Sequence, residues 1–268
     1  MGHQRLGDIP KSKKWTAVVE SVVGKGAHGA ASGVLLSVPD IARNALDAAA
    51  AGLQRAIEDP GLRFTFYLLT QIVLAVRKPD WEERLSDLGI ALTPESSLFD
   101  FTAALQNTVD GFLESNGPTS DISEMAQQAA GQAITELVGP KSKTLFGSGP
   151  SELQDGLYDL STKAGFARLG QHFFGCFMSR FLNFYLSRIT AGQVGGPRIE
   201  RLSDLTRFND ALEVHCKQSA QVVHDFCGEW YSKTEFERGI SLENTTGFMA
   251  VALKKLQSEL MKQGEGHD

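Results

Sequence analysis

The chain has 268 residues, of which 42% are hydrophobic and 22% charged, a composition typical of a globular protein and not of a disordered or fibrous one. Its net charge of −6 argues against a protein whose whole surface binds nucleic acid or anionic lipid. The 3 cysteines are too few, and odd in number, for a disulfide framework, which favours a reducing, cytoplasmic environment.

The first apolar segment covers residues 15–38 and contains a G-x-G-x-x-G motif at residues 24–29. A dinucleotide site needs strands before and after such a motif, but Trp15, Val18 and Val22 recur at helical spacing. The segment therefore predicts a close-packed helix or a loop. Because it has few charges and small residues four apart, contact with a membrane surface is an alternative.

Helix start and stop signals divide the rest of the chain into short segments. Asp59 and Pro60 have the pattern of a cap followed by a first helical residue, and Asp121 with Glu124 matches a capping box. The predicted helices cover about residues 41–57, 60–76, 79–88, 94–112, 121–137, a stretch after 150, 164–189, 203–231 and 247–261.

These segments predict an all-α fold, a bundle of about eight or nine helices without a substantial sheet. Residues 236–242 have a weak strand pattern. We expect residues 1–268 to form a single helical domain. A division into lobes at 15–139 and 150–263 is an alternative, because the stretch between them is rich in glycine and proline.

Histidine and cysteine side chains recur in the two longest predicted helices. His172 and Cys176 are four residues apart, and His224 and Cys227 are three apart, so each pair lies on one helix face. If the helices pack antiparallel, the two pairs come within about one or two turns of each other. They predict a zinc site or a thiol paired with an imidazole. The alternative is plain core packing, since free cysteine is often buried and four phenylalanines surround the first pair.

Basic residues dominate the segment 161–201, in which the only acidic residue is Glu200. Interleaved with aromatic residues, they predict a surface for an acidic partner, although an aromatic core stripe with surface ion pairs would give the same pattern. The candidate partner-binding residues are Lys163, Arg168, Arg180, Arg188, Arg198 and Arg201.

The sequence has no G-x-S-x-G elbow, no G-x-x-x-x-G-K-[ST] phosphate loop and no H-E-x-x-H zinc helix. We therefore expect an adaptor, regulatory or assembly protein without a resident cofactor, whose partner is another protein or a second copy of itself. Two alternatives stay open. One is a membrane-active protein that uses residues 15–38, and the other is a metal- or thiol-dependent enzyme built on the His/Cys pairs.

Overall fold

The computed structural model describes residues 3, 5–6, 11–23, 37–141, 150–196 and 199–263. Over these residues the chain is all-α, as predicted, with no strand and one isolated bridge between Val194 and Ile199. None of the described helices is long and apolar enough to cross a membrane. The α-helices are α1 (Lys13–Val23), α2 (Val38–Ala48), α3 (Ala50–Glu58), α4 (Pro60–Ala75), α5 (Trp81–Asp87), α6 (Leu98–Asn116), α7 (Asp121–Val138), α8 (Pro150–Leu160), α9 (Lys163–Ala191), α10 (Leu202–Ser219), α11 (Gln221–Arg238) and α12 (Leu242–Gln263).

The described residues contain twelve α-helices, where the sequence predicted about eight or nine. Two long predicted segments are each divided by one alanine. Ala49 (φ −96°, ψ 12°) separates α2 from α3, and Ala220 (φ −70°, ψ −2°) separates α10 from α11. Alanine has the highest helix propensity, so no local signal marks either break. Tertiary packing sets the direction of the chain at both positions.

Helix boundaries follow the capping side chains. The Asp59 side chain accepts a hydrogen bond from the Leu62 amide at 2.8 Å and begins α4, as predicted. Helix α6 begins at Ser97 and not at the predicted Thr93, because Ser97 and Asp100 form a reciprocal capping box.

The weak strand predicted at residues 236–242 is wrong. Phe236 lies in the last turn of α11, and Gly239 ends that helix with a φ of +76°. Helix α12 already begins at Leu242. Alternation over so few residues does not distinguish a strand from a helix end followed by a turn.

Helix α9 is the centre of the bundle and packs against α7, α10 and α11. One continuous hydrophobic cluster extends from Leu6 to Leu260, so residues of both predicted lobes share a core. Phe66 of α4 is fully buried in this cluster. Its phenyl ring contacts five aromatic side chains from α9, α11 and α12, namely Phe166, Phe173, Phe174, Trp230 and Phe248.

Glycines allow α9 to approach α10 and α11 closely. A Cβ atom at Gly175 would lie 2.7 Å from the Cα atom of Lys217, and one at Gly228 would lie 2.4 Å from the carbonyl oxygen of Lys163. Real Cβ atoms do not occur at such distances from backbone. These helix pairs are therefore closer than any larger residue would permit.

Leu6, close to the start of the chain, is held in the core by side chains from two helices. Its own side chain is 2% exposed. Its amide donates to Asp121 Oδ2 at 2.7 Å, and its carbonyl oxygen accepts from the Arg55 guanidinium. Both backbone groups of a buried residue are thus satisfied without a neighbouring strand.

Candidate functional site

A cluster of charged side chains lies where α7, α9 and α10 meet, and we call it the charged junction. Lys217 Nζ donates to both carboxylate oxygens of Glu136, at 2.6 and 2.8 Å, and to Glu213 Oε1 at 2.7 Å. His172 Nδ1 lies 2.9 Å from Glu136 Oε2. The junction therefore ties one residue of α7 to residues of both neighbouring helices.

The electrostatics of the junction favour its ionised form. Burial opposes ionisation of Glu136, but hydrogen bonds from Lys217, Gln132 and His172 outweigh it and hold the pKa of Glu136 below its usual value. Burial likewise opposes the charge on Lys217, and the carboxylates of Glu136 and Glu213 raise its pKa. At neutral pH Glu136 and Lys217 are therefore both charged and form an ion pair.

The predicted four-residue metal site is not brought together as one set of ligands. Among the described residues, the ligand atoms of Cys176 lie within 4.8 Å of those of Glu136 and Glu213, a set that omits His172, His224 and Cys227. The ammonium group of Lys217 already binds both carboxylates of that set. A divalent cation would have to displace it, so these residues do not fit a zinc site.

Two other members of the predicted metal cluster, His224 and Cys227, lie on α11 and are not part of this set. Cys227 packs at Gly170, with its Sγ atom 3.9 Å from the carbonyl oxygen of Phe166. His224 is partly exposed and lies near Asp225, at 3.7 Å. A second group of metal-ligand type, made of His3, Asp121 and Glu124, lies on the surface where the N-terminal residues meet α7.

All three cysteines are buried free thiols. Burial raises the pKa of Cys176 to about 12, and it raises the pKa values of Cys216 and Cys227 further. A nucleophilic cysteine needs a lowered pKa and some exposure. The geometry therefore argues against the thiol-dependent alternative.

The predicted basic residues do not converge on one surface. Lys163 forms an ion pair with Glu229, and the Arg180 guanidinium donates to Gln128 Oε1 at 3.4 Å. The remaining described residues of this set, Arg168, Arg188 and Arg201, are exposed, whereas Arg198 lies outside the described residues. Because Arg168 and Arg188 are separated by about 30 Å of helix, no groove gathers these charges. Their role in binding an acidic partner stays a prediction.

Of residues 15–38, the structure describes 15–23 and 37–38, and the G-x-G-x-x-G motif lies outside the described residues. The apolar face of α1 points into the bundle. Trp15, Val18 and Val22 are buried, and Trp15 packs edge-on against Tyr185 with ring centroids 6.2 Å apart. In this conformation the described part of the segment offers a membrane little apolar surface.

A groove of about 720 Å³ opens between α11 and α12, and we call it the aromatic groove. Trp230 of α11 stacks on Phe248 of α12 with centroids 4.2 Å apart, and Phe226 lies 5.4 Å from Phe248. The exposed side chain of Val251 continues this wall. At Gly247, an added Cβ atom would meet no atom within 4 Å, so this residue forms the open part of the groove.

Polar and charged side chains surround the aromatic groove. Its rim consists of Arg238, Ser241, Glu243 and Asn244. Beside it, the ammonium group of Lys255 lies 4.4 Å from the centre of the Phe226 ring. An apolar floor with a polar rim is the usual composition of a binding site.

Sequence reasoning missed this groove. Phe226 and Trp230 are four residues apart, a spacing that predicts a buried core stripe. The available signal was Gly247, a glycine between Thr246 and Phe248 in the first turns of α12. A glycine inside a helix lowers helix stability relative to alanine. At this position it also leaves open space beside the aromatic side chains.

No protein-family model, no curated protein and no solved structure matches this chain. The class of protein is therefore defined by its fold and surfaces alone, as an all-α bundle with a charged junction and an aromatic groove.

Replacing Lys217 with methionine is expected to lower the free energy of unfolding by about 1–2 kcal/mol. The change leaves the partly buried carboxylates of Glu136 and Glu213 facing each other without a cation. The estimate is kept low because the three side chains are 22–33% exposed. Urea unfolding followed by circular dichroism measures it. The matched control is Lys233→Met, at an exposed and looser ion pair of 3.9 Å with Glu237, for which we expect less than about 0.5 kcal/mol.

The stability of the protein is expected to fall as the pH decreases below 6.5, because of His215. This side chain is 8% exposed, and its Nε2 atom has no hydrogen-bond partner among the described residues. Burial lowers its pKa below 6.5, so the unfolded chain binds a proton that the folded chain does not. Stability is then complete above pH 6.5 and falls by up to about 1.4 kcal/mol per pH unit as the pH decreases towards the folded-state pKa.

Urea unfolding at several pH values tests this dependence. The variant His215→Gln should have a shallower slope than the parent protein over that interval. His224→Gln, at a partly exposed position, is the control and should retain the slope. An identical slope in the His215→Gln variant would assign the effect to other groups.

Proposed function

We propose that this protein is a helical protein-interaction protein whose binding site is the aromatic groove. The observation that carries the proposal is an open groove with Phe226, Trp230 and Phe248 as its floor, on a bundle whose other aromatic side chains mostly lie in the core. Its volume lies within the range of about 300–1,000 Å³ typical of ligand sites. The three cysteines are buried, and burial raises the pKa of each thiol, so none of them has the lowered pKa of a nucleophilic cysteine.

The groove favours an aromatic side chain as the anchor of the bound segment. Stacked and edge-on aromatic contacts add about 0.5–1.5 kcal/mol each to the gain from apolar burial. Aromatic residues are also the most frequent anchors at the centres of protein interfaces. Phe226 and Trp230, which are half-buried and line the groove, are the aromatic side chains against which such an anchor packs.

The charges around the groove favour an acidic group next to that anchor. Arg238 lies on the rim, and Lys255 lies beside Phe226. Glu243 is also on the rim, in the first turn of α12. The expected ligand is therefore a protein segment with a phenylalanine or tryptophan adjacent to glutamate or aspartate.

Binding can be tested with a short acetylated and amidated peptide that contains Glu-Phe-Glu. Titration should change the fluorescence of the half-buried Trp230 in a saturable way, since Trp15 and Trp81 are buried in the core. The variant Gly247→Leu fills the groove from an open helical position and should weaken binding at least about tenfold. Gly111→Leu is the matched control, because Gly111 is also an exposed helical glycine with no atom near its added Cβ.

Two results would contradict this assignment of the groove. One is equal affinity of the peptide for the parent protein and Gly247→Leu. The other is equal affinity for the peptide and for its Glu-Ala-Glu analogue, which lacks the aromatic anchor.

A further inference from the structure

The aromatic groove runs lengthwise between two antiparallel helices. Towards one end, Phe226 and Trp230 of α11 lie against Phe248 of α12. At the other end, Arg238 in the last turn of α11 lines the groove together with Glu243 in the first turn of α12. From Phe226 to Arg238 the groove follows α11 for about 18 Å, which is the length of about three helical turns.

The walls of the groove are helices, so they offer an extended peptide no strand edge. The backbone groups of α11 and α12 are bonded within each helix. On the rim, Asn244 Oδ1 accepts from the Ser241 amide at 3.1 Å, and Ser241 Oγ accepts from the Asn244 amide at 3.3 Å. An extended segment in this groove would press amide and carbonyl groups against walls that cannot bond them. A helix bonds these groups internally and can dock through its side chains alone.

Gly247 leaves space for a further helix to approach α12 closely. Within the bundle, the space beside two helical glycines is filled by the backbone of a neighbouring helix, α10 at Gly175 and α9 at Gly228. At Gly247 the same space is open, since an added Cβ atom would meet no atom within 4 Å. Gly111 is equally open, but Gly247 shares its groove with aromatic side chains. The position therefore combines close approach with apolar surface.

Lys255 favours an acidic residue at one end of a docked helix. Its ammonium group lies 4.4 Å from the centre of the Phe226 ring, at the edge of the groove. The acidic residue next to Phe226 in sequence, Asp225, lines a different pocket, between α11 and α9. At the opposite end of the groove, Arg238 and Glu243 carry opposite charges. A ligand carboxylate is therefore attracted more strongly to the end at Lys255.

We propose that the ligand of the aromatic groove is an amphipathic α-helix of a partner protein, about three turns long, which packs lengthwise on α11 and α12. The inference rests on the proposed function, because it assigns a conformation to the ligand of the same groove. Apolar side chains four residues apart on the docked helix repeat about every 6 Å, which is the spacing of Phe226 and Trp230 along α11. One of these side chains is the aromatic anchor, and an acidic residue of the docked helix faces Lys255.

Titration with a designed peptide, followed by the fluorescence of Trp230, tests the helix. The probe is an acetylated and amidated peptide of about 15 residues, made of alanine and glutamate, with phenylalanine and leucine along one helical face. Its control has proline in place of a central alanine on the opposite face, which breaks the helix and keeps the apolar side chains. The helical peptide should bind at least about tenfold more tightly than the proline peptide. Gly247→Leu should weaken its binding at least about tenfold, and Gly111→Leu should bind it like the parent protein.

Charge reversal tests the end of the groove at Lys255. Lys255→Glu should weaken binding of the glutamate peptide about threefold and strengthen binding of a matched peptide with lysine in place of glutamate by a similar factor. Arg188→Glu changes the net charge by the same amount and is the control. Arg188 lies in the last turn of α9, whereas α11 packs on the first half of that helix, so both affinities should stay unchanged. Affinities that do not respond to Lys255→Glu would overturn the contact with the acidic residue.

The failure of the helix and the failure of the groove give different results. Equal affinity for the helical and the proline peptides, with both weakened by Gly247→Leu, overturns the helix and supports the groove as a binding site. Binding of Glu-Phe-Glu without binding of the helical peptide has the same meaning. Affinities for all three peptides that are equal in the parent protein and in Gly247→Leu overturn the proposed function as well, as does absence of binding of any of them.

Discussion

Replacing Phe66 with alanine is expected to lower the free energy of unfolding by about 3–5 kcal/mol. The Phe66 ring is fully buried, and its neighbours include Phe166, Phe174 and Phe248, with centroids between 5.1 and 5.9 Å away. These side chains come from two other helices, α9 and α12, and cannot collapse into the space without moving the helices. The substitution therefore loses the apolar burial and leaves a cavity.

Urea unfolding at constant pH measures the loss of stability at Phe66. Phe99→Ala removes the same atoms from an exposed position, and we expect less than about 0.5 kcal/mol for it. If Phe66→Ala cost no more than Phe99→Ala, the aromatic cluster would not be the centre of the core. A changed dependence on urea concentration would instead indicate a less compact native state.

Replacing Gly228 with alanine is expected to lower the free energy of unfolding by about 3 kcal/mol, although only one methyl group is added. That methyl group would lie 2.4 Å from the carbonyl oxygen of Lys163, which is backbone at the beginning of α9. A flexible side chain could turn away, but a helix backbone cannot. The two helices would have to separate along much of their contact.

The control for this substitution is Gly111→Ala, on α6. Its added methyl group meets no atom within 4 Å, so the change should raise stability by about 0.5–1 kcal/mol through its effect on helix propensity. The two alanine variants should therefore shift the urea midpoint in opposite directions. A stabilising effect of Gly228→Ala would show that α9 and α11 are further apart than the structure has them.

The parts of the fold that depend on local chemistry could be predicted from the sequence. Asp59 caps α4 because its carboxylate reaches an amide three residues later, and this is visible in the residue order. The break at Ala220 was not visible, since no glycine or proline lies within a turn of that alanine. Such a break is decided by the packing of α10 and α11 on α9, which brings together residues distant in sequence.

The candidate sites show the same difference between local and distant contacts. The spacing of His172 and Cys176 places them on one helix, but their neighbour Glu136 comes from α7, and sequence spacing does not pair residues of separate helices. Phe226 and Trp230 are indistinguishable in sequence from a core stripe. They line a groove because Gly247 of α12 leaves space beside them.

The capture of Leu6 bears on the order in which the chain folds. Its amide reaches Asp121 across 115 residues, a much longer loop than any joining successive helices. Contacts of such long range are slow to form, because closing the loop lowers the conformational entropy of the chain before the contact stabilises it. We therefore expect Leu6 to dock after α7 has formed, as one of the last steps of folding. Its amide should exchange its hydrogen sooner than the amides of α4 and α9, through openings smaller than global unfolding.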